Sequence, residues 1–520
     1  MCHLTQHKKE KMGFCLRIKI FVLANIITTL GITELYCQQK LNNAINVELA
    51  ELTLNDVIRI AHINSNASVA ARYGFAKAEV QYNVYKKQYL PIIIGNFTVP
   101  SLDHSLNIVQ NTETGIYKFV QSNLMRINGG ISISQSIPFT GGLITLNSYL
   151  ERIDQFNPQR EIAIYNQPVY LTLTQPIIGT FNYLKWNKKL EPIKYEKAKT
   201  DFLDNMEDIS EKAVEYFFKA LIAKMQLDNN ELNLKNYEQQ YEIWKTKFEL
   251  GYIKESDLMQ LELSLKNIEL EKYKSEKELI KAMDMLNLFL HLDKNTIVKL
   301  IPPQLLPEIK FDLTQIINLA NSNTSFKKNL EFKNTEAKKE LERIKRENMI
   351  KVNLYARIGL QKNASDIVTS FQHPSNQQNV NIGITVPILD WGIRKEKVKL
   401  SELSSELTKK QAEEDYEELN QKIVQSLMEF NNQSQQYRIA IEAEIIAQRN
   451  YQIAIEQATI GKISVFELIS SQYSKDKAII ARINELYNYW AIYYRIRRIT
   501  LFDFIQNINL VEDFDKRVIK

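Results

Sequence analysis

The chain has 520 residues, 24% of them charged, with 66 Lys plus Arg against 61 Asp plus Glu. Five basic and two acidic residues of positions 1–37 supply three of the five net positive charges, so the rest carries +2, which argues nothing for nucleic acid. All three cysteines (Cys2, Cys15, Cys37) lie at or before position 37, excluding a disulfide framework or a thiolate metal site beyond it.

Positions 1–37 read as a secretory signal. Lys8, Lys9, Lys11, Arg17 and Lys19 make a basic start, an apolar run follows from about Ile18 to Ile32, and cleavage is expected near Cys37. Met12 offers a later start. Lipidation of Cys37 is the alternative fate, but Glu34-Leu35-Tyr36 is a poor approach to a lipidated cysteine. No run of eighteen apolar residues follows, so any membrane role must come from strands.

Residues 54–89 read as a helix, with Thr53 or Asn55 as cap and apolar residues at helical spacing through Val57, Ile60, Ala61 and Val69. Pro91 ends it, and 92–99 is strand material. The stretch 100–128 is polar and commits to nothing. Residues 131–137, 143–150 and 170–175 each alternate apolar with hydroxyl or amide side chains, and a Phe139-Thr140-Gly141-Gly142 turn separates the first two. In the second half 352–359 and 380–386 do the same. That pattern suits a barrel wall between lipid and water, or equally a half-buried strand of a periplasmic sandwich. The polar tracts 151–168 and 361–379 are expected to be loops at the strand tips.

Residues 179–250 and 392–460 are rich in Lys, Glu, Gln, Leu, Ile and Ala, with no glycine in their long interiors. Helices of about 70 residues are rods of roughly 105 Å, a length that only coiled-coil packing buries. Pro192 predicts a kink or a late start in the first. Each rod reverses at a glycine and returns, over about 255–290 and 464–505. Residues 506–520 read as a short tail.

The chain is internally duplicated. Leu54 to Ala61 recurs as Leu313 to Ala320, Pro176-Ile177-Ile178 as Pro387-Ile388-Leu389, and Gly251-Tyr252-Ile253 as Gly461-Lys462-Ile463. Proline to glycine spans 75 residues in one copy and 74 in the other. The domains expected are a signal (1–37), a first repeat (38–300) with an inserted hairpin about 100–165, a Pro-rich linker (301–310), a second repeat (311–505) and the tail. Leu54 to Pro176 is 122 residues against 74 for Leu313 to Pro387, so the first copy carries 48 extra residues. At each hairpin tip an acid follows the glycine by six positions, Asp257 and Glu467. These acids either steady the returning helix through its dipole or form an acidic ring at a pore mouth.

This layout resembles the TolC-like outer-membrane efflux protein family. Leu52-Thr53-Leu54-Asn55-Asp56-Val57-Ile58, Gln175-Pro176-Ile177, Val386-Pro387-Ile388, Gly251-Tyr252-Ile253 and Gly461-Lys462-Ile463-Ser464 carry the resemblance, which covers about residues 50–505. It implies a mostly α fold with β: long antiparallel helical hairpins forming a coiled-coil tunnel, and transmembrane β-strands, four per chain, in a trimeric twelve-stranded barrel. It implies a homotrimer in outer-membrane lipid with its tunnel in the periplasm, the exit duct of a tripartite efflux or type I secretion system. A periplasmic membrane-fusion adaptor would link it to an inner-membrane pump or ABC exporter. By position, Gly251, Tyr252, Ile253, Gly461, Lys462 and Ile463 would be adaptor-contacting tips, with Asp257 and Glu467 at the pore entrance. Ser470 stands where a second ring acid is expected and Ile463 where a basic gate residue is expected. Strands 92–99 and 168–176 are expected to line the barrel, with 130–150 as an external extension.

No phosphate loop, nucleophile elbow or His-Glu-x-x-His occurs, and His62, His104, His291 and His373 are scattered, so neither enzyme nor cofactor nor metal is expected. The competing class is a periplasmic coiled-coil adaptor or spacer with a soluble β-domain.

Overall fold

The computed structural model describes residues 51–110, 115–157, 160–292, 298–303, 309 and 311–514. The signal segment and residues 515–520 lie outside the described residues, as does part of the linker. The described residues fall into two units. In the smaller, β1 (Glu51–Leu52) pairs in parallel with β6 (Lys299–Leu300), and the Ile301 N–H donates to the Leu52 carbonyl at 3.0 Å. The rest of the described chain forms the larger.

Both repeats of the larger unit start alike. Helix α1 (Leu54–Asn64) opens on a capping box, in which the Asp56 N–H donates to Thr53 Oγ1 at 3.3 Å and the Thr53 N–H to Asp56 Oδ2 at 3.2 Å. Ser65 interrupts the helix in extended conformation, and α2 (Asn66–Lys87) continues from it. The second copy repeats the plan with α5 (Leu313–Asn323), a break at Thr324, and α6 (Ser325–Glu347). The expected single helix over 54–89 is therefore two, because Ser65 serves as C-cap of one and N-cap of the next.

Each long helix is 67 residues, about 100 Å: α3 (Tyr183–Glu249) and α8 (Ile393–Thr459). Each return is 36 residues: α4 (Glu255–Leu290) and α9 (Val465–Thr500). Helix α3 runs through Pro192 and starts well before it, so the late start does not occur. Buried residues of α8 fall at alternating three- and four-residue steps, Ile423, Ser426, Phe430, Gln433, Tyr437 and Ala440. That is a coiled-coil seam. Thr200, Leu203, Glu207, Ser210, Val214 and Phe217 write the same steps in α3.

The end of α9 is locked to α3 by buried charge. Arg497 pairs with Glu207 at 3.1 Å and Asp503 at 3.4 Å, while Arg498 reaches Asp204 at 3.1 Å and Glu211 at 3.3 Å. The carboxylates of Glu207 and Asp503 hold the Arg497 guanidinium protonated against the opposing cost of burial. Residues 502–514 fold back over this end. Here β9 (Phe502–Asp503) pairs with β10 (Ile508–Asn509), and Leu510 and Phe514 pack against Phe75, Phe202 and Leu203. The part of the expected short tail that is described is thus packed on the core through Leu510 and Phe514.

Six strands form one antiparallel sheet: β2 (Ile92–Gln110), β3 (Tyr117–Ile137), β4 (Gly142–Asn157), β5 (Glu161–Ile178), β7 (Lys351–Ala364) and β8 (Ser375–Thr385), in that spatial order. This corrects the sequence reading in three ways. The tract 100–128 is mostly strand, with a bulge between Thr98 and Ser101 where Pro100 cannot donate to the ladder. The tract 151–168 is largely strand too, while 361–379 keeps a connection at the strand tips that holds the short helix α7 (Ile367–Ser370). The pair at 130–150 is no external extension; it fills the sheet between β2 and β5.

Candidate functional site

The sheet has two chemically different faces. Residues directly opposite in a ladder share a face. Ile93 faces Ile133, which faces Leu146, then Leu171 and Ile358, an apolar row crossing five strands. One step along, Ile144, Leu173, Ala356 and Val380 form a second such row. The other face reads Ser134, Thr145, Thr172, Arg357 and Asn379 across the same sheet. Its side chains bond one another laterally. Ser134 and Thr145 share a hydrogen bond at 3.3 Å, Asn147 Nδ2 donates to Thr172 Oγ1 at 3.2 Å, and Gln167 Nε2 donates to Gln377 Oε1 at 3.1 Å. Arg357 donates to Gln167 at 2.6 Å and lies 4.0 Å over the Tyr170 ring. Opposite Tyr170, Gly359 lets the neighbouring strand pass close by; a Cβ there would collide with the Tyr170 Cβ and lie 2.7 Å from the Val169 carbonyl oxygen.

Among the described residues nothing covers the apolar rows. Ile93 is 70% exposed, Phe97 71% and Val380 74%. An apolar surface running across a whole sheet fits hydrocarbon rather than water. Strand length agrees. About 9–11 tilted residues cross a bilayer core, and the shortest strand of this six-stranded sheet, β8, has 11. Among the described helices none is long and apolar enough to cross a membrane.

At the opposite ends of the long helices the two reversals are built alike. Gly251 sits at φ +77° and Gly461 at φ +78°. The Tyr252 N–H donates to the Lys247 carbonyl and the Gly251 N–H to that of Phe248, both at 2.8 Å. The Lys462 N–H donates to Gln457 at 2.9 Å and the Gly461 N–H to Ala458 at 3.1 Å. Each is a Schellman turn, which satisfies carbonyls the helix end leaves open and needs the left-handed backbone that glycine adopts freely.

The tip residues expected from sequence divide into two groups. Gly251, Tyr252, Gly461 and Lys462 are exposed, Tyr252 by 78%. Ile253 and Ile463 turn inward and pack on Trp244, Leu261, Tyr451, Val465 and Leu468, which joins the two tips into one apolar cluster. Lys247 adds a bridge, donating to the Thr459 carbonyl at 2.9 Å, so a residue of the first hairpin caps the second.

The two acids also separate. Glu467 closes a capping box: its carboxylate accepts from the Ser464 N–H at 2.8 Å, and its own N–H donates to Ser464 Oγ at 3.2 Å. Asp257 lies in the first turn of α4, where Lys254 gives no side-chain cap, and no described residue is bonded to its carboxylate. Its backbone N–H bonds the Lys254 carbonyl at 3.1 Å. Ser470 is exposed one turn beyond Glu467.

Sequence reasoning missed a polar seam further up the hairpins. Lys475 is buried, donates to Asn233 Oδ1 at 3.2 Å, and lies 3.2 Å from Asp476 and 4.7 Å above the Tyr451 ring. Asn233 Nδ2 donates back to Asp476 at 2.7 Å. The seam couples α3 of one hairpin to α9 of the other. Burial pushes the Tyr451 hydroxyl above its ordinary pKa, so it stays protonated there. The three-four spacing of Gln472 and Lys475 with Val465 and Leu468 was the available signal.

Comparison with known proteins agrees with this geometry. Residues 348–500 match the family model described as outer membrane efflux protein. No curated protein matches the chain by sequence. Among solved structures, the chain is similar to the Campylobacter jejuni CmeC outer membrane channel, with a TM-score of 0.64 at 16% identity over 89% of each chain. The open-state Neisseria gonorrhoeae MtrE outer membrane channel gives 0.57 at 12% identity, over 88% of this chain and 89% of that one. The Vibrio cholerae outer membrane protein VceC gives 0.56 at 11% identity, over 86% of this chain and 95% of that one. The shared fold is mostly helical with strands.

Proposed function

We propose that the chain is the outer-membrane exit duct of a tripartite efflux or type I secretion system, a reading supported by the match of residues 348–500 to the outer membrane efflux protein model. The observation that carries the reading is the two-faced sheet: apolar rows without cover on one side, and a hydrogen-bonded ladder of hydroxyls and amides on the other. Such a sheet separates lipid from an aqueous lumen. The helical hairpins then extend into the periplasm as the wall of a tunnel.

A single chain supplies only part of that wall. Strands β2 and β8 are edges with no strand beyond them in the described sheet, and open edges inside hydrocarbon leave backbone groups without partners. Along the hairpins, α4 exposes Leu263, Leu270 and Tyr273, and α8 exposes Ile439, Ile446 and Ile453 at seven-residue steps. These are seams awaiting helices of another copy. Three copies, as the family resemblance implies, place them against one another around a common axis.

In that assembly Gly251, Tyr252, Gly461 and Lys462 present the adaptor-contacting surface, and Ile253 and Ile463 hold the paired tips together from inside. Asp257 and Glu467 flank the entrance, Asp257 with its carboxylate uncommitted and Glu467 with its carboxylate tied to Ser464. Transport is downhill movement through water, and any pump energy enters from the inner-membrane partner through the adaptor. The test is the native mass of the protein extracted from outer-membrane fractions in mild detergent. Three chains per particle supports the duct. A monomer released by salt without detergent sinks it.

A further inference from the structure

The resemblance leads one to expect four wall strands per chain, yet the sheet has six. Resting on the trimeric duct reading, we propose that all six strands enter the wall, with β2 of one copy pairing to β8 of the next, so that three copies close an eighteen-strand barrel.

Two observations point the same way. The added strands β3 and β4 carry the same faces as their neighbours. Ile133 and Leu146 continue the apolar row into Leu171, and Ser134 and Thr145 continue the polar row into Thr172. A hairpin lying outside the wall would have no use for that register.

Second, the helices joined to the two sheet edges are themselves open flanks. Helix α2 leads into β2, and α8 follows β8. In the layer next to the sheet, α2 packs on α3, α3 on α6, and α6 on α8. The outer flank of α2 leaves Tyr73, Val80 and Val84 exposed; α8 leaves Ile393, Leu400 and Leu407 exposed at seven-residue steps. The same two sides of the chain are therefore unpartnered in the sheet and in the helices beneath it, and a second copy covers both at once.

Closure sets the width. Strands about 4.8 Å apart and tilted about 40° take up about 6.3 Å of circumference each, so an eighteen-strand barrel is about 36 Å across, backbone to backbone, where twelve strands would give about 24 Å.

Disulfide cross-linking in the full-length protein in outer membranes tests this. Cysteines are introduced in pairs, Ile94→Cys or Thr98→Cys on β2 with Asn379→Cys, Asn381→Cys or Thr385→Cys on β8. After oxidation, at least one pair is expected to give bands at two and three times the chain mass. The protein without introduced cysteines controls for its native ones. A ladder from Thr145→Cys on β4 paired with the same β8 positions would overturn the proposal, because β8 would then meet β4 with β2 and β3 displaced. Absence of any β2–β8 ladder in particles whose native mass is still three chains would also overturn it. A monomeric native mass instead overturns the duct reading itself, so the two failures are told apart.

Discussion

The two hairpins match to the residue in length, 67 out and 36 back, yet they restart differently. The second re-enters through the Ser464 and Glu467 capping box; the first re-enters at Lys254 with no side-chain cap. Length is under a common constraint because both tips must meet in the cluster around Leu261 and Leu468. The restart is a local matter, and it has been solved once with a cap and once without. A shared endpoint dictates geometry; it leaves local chemistry free.

The largest break in that equality comes from removing the shared endpoint. Leu261 and Leu468 are 0% and 2% exposed, and Leu261→Ala or Leu468→Ala should each destabilise the tips by about 2–5 kcal/mol. Hydrogen exchange should accelerate at both tips from either change. If only the altered hairpin responds, the tips do not share a core.

Next is the seam between hairpins. Asp476→Ala leaves the buried Lys475 ammonium without its carboxylate and should cost about 3 kcal/mol. Adding Lys475→Met should recover most of that loss in a denaturant melt, since it removes the stranded charge.

The glycines should respond equally. Gly251→Ala and Gly461→Ala put a Cβ on left-handed backbone at about 1–2 kcal/mol each. Neither position has a neighbour within 4 Å of such a Cβ, so the cost is backbone strain alone. Clearly unequal costs in exchange at the two turns would show that one tip is braced elsewhere.

The smallest effect separates the two restarts. Ser464→Ala should cost about 1 kcal/mol, whereas Lys254→Ala should be near neutral. Lys254→Ser should gain a few tenths to about 1 kcal/mol by supplying the missing cap. Protease sensitivity of each tip reads out the difference.

Legibility followed the range of the forces involved. Turns, caps and helix period are set within a few residues, so the hairpin lengths, both glycine reversals and the strands with strict alternation could be read directly. The stretch 100–128 could not be, because Asp103, His104, Asn107 and Gln121 break the apolar alternation and Pro100 reads as a strand breaker. It becomes strand by pairing β2 with β3, from Ser101 opposite Arg126 to Gln110 opposite Tyr117. The inward turn of Ile253 and Ile463 was equally hidden, since their spacing from glycine is the same whether they face a partner or each other's core.

By itself the sequence determined the duplication, the 100 Å scale of the helices and the two-faced character of the strands, because each follows from periodicity along one stretch of chain. Tertiary structure alone decided that the extra strands complete the sheet, that Lys475 bridges the hairpins, and that residues up to Phe514 are part of the core. Those outcomes depend on which segment becomes whose neighbour. A one-residue choice of register or a few ångströms of packing settles that, and neither is written within any single segment.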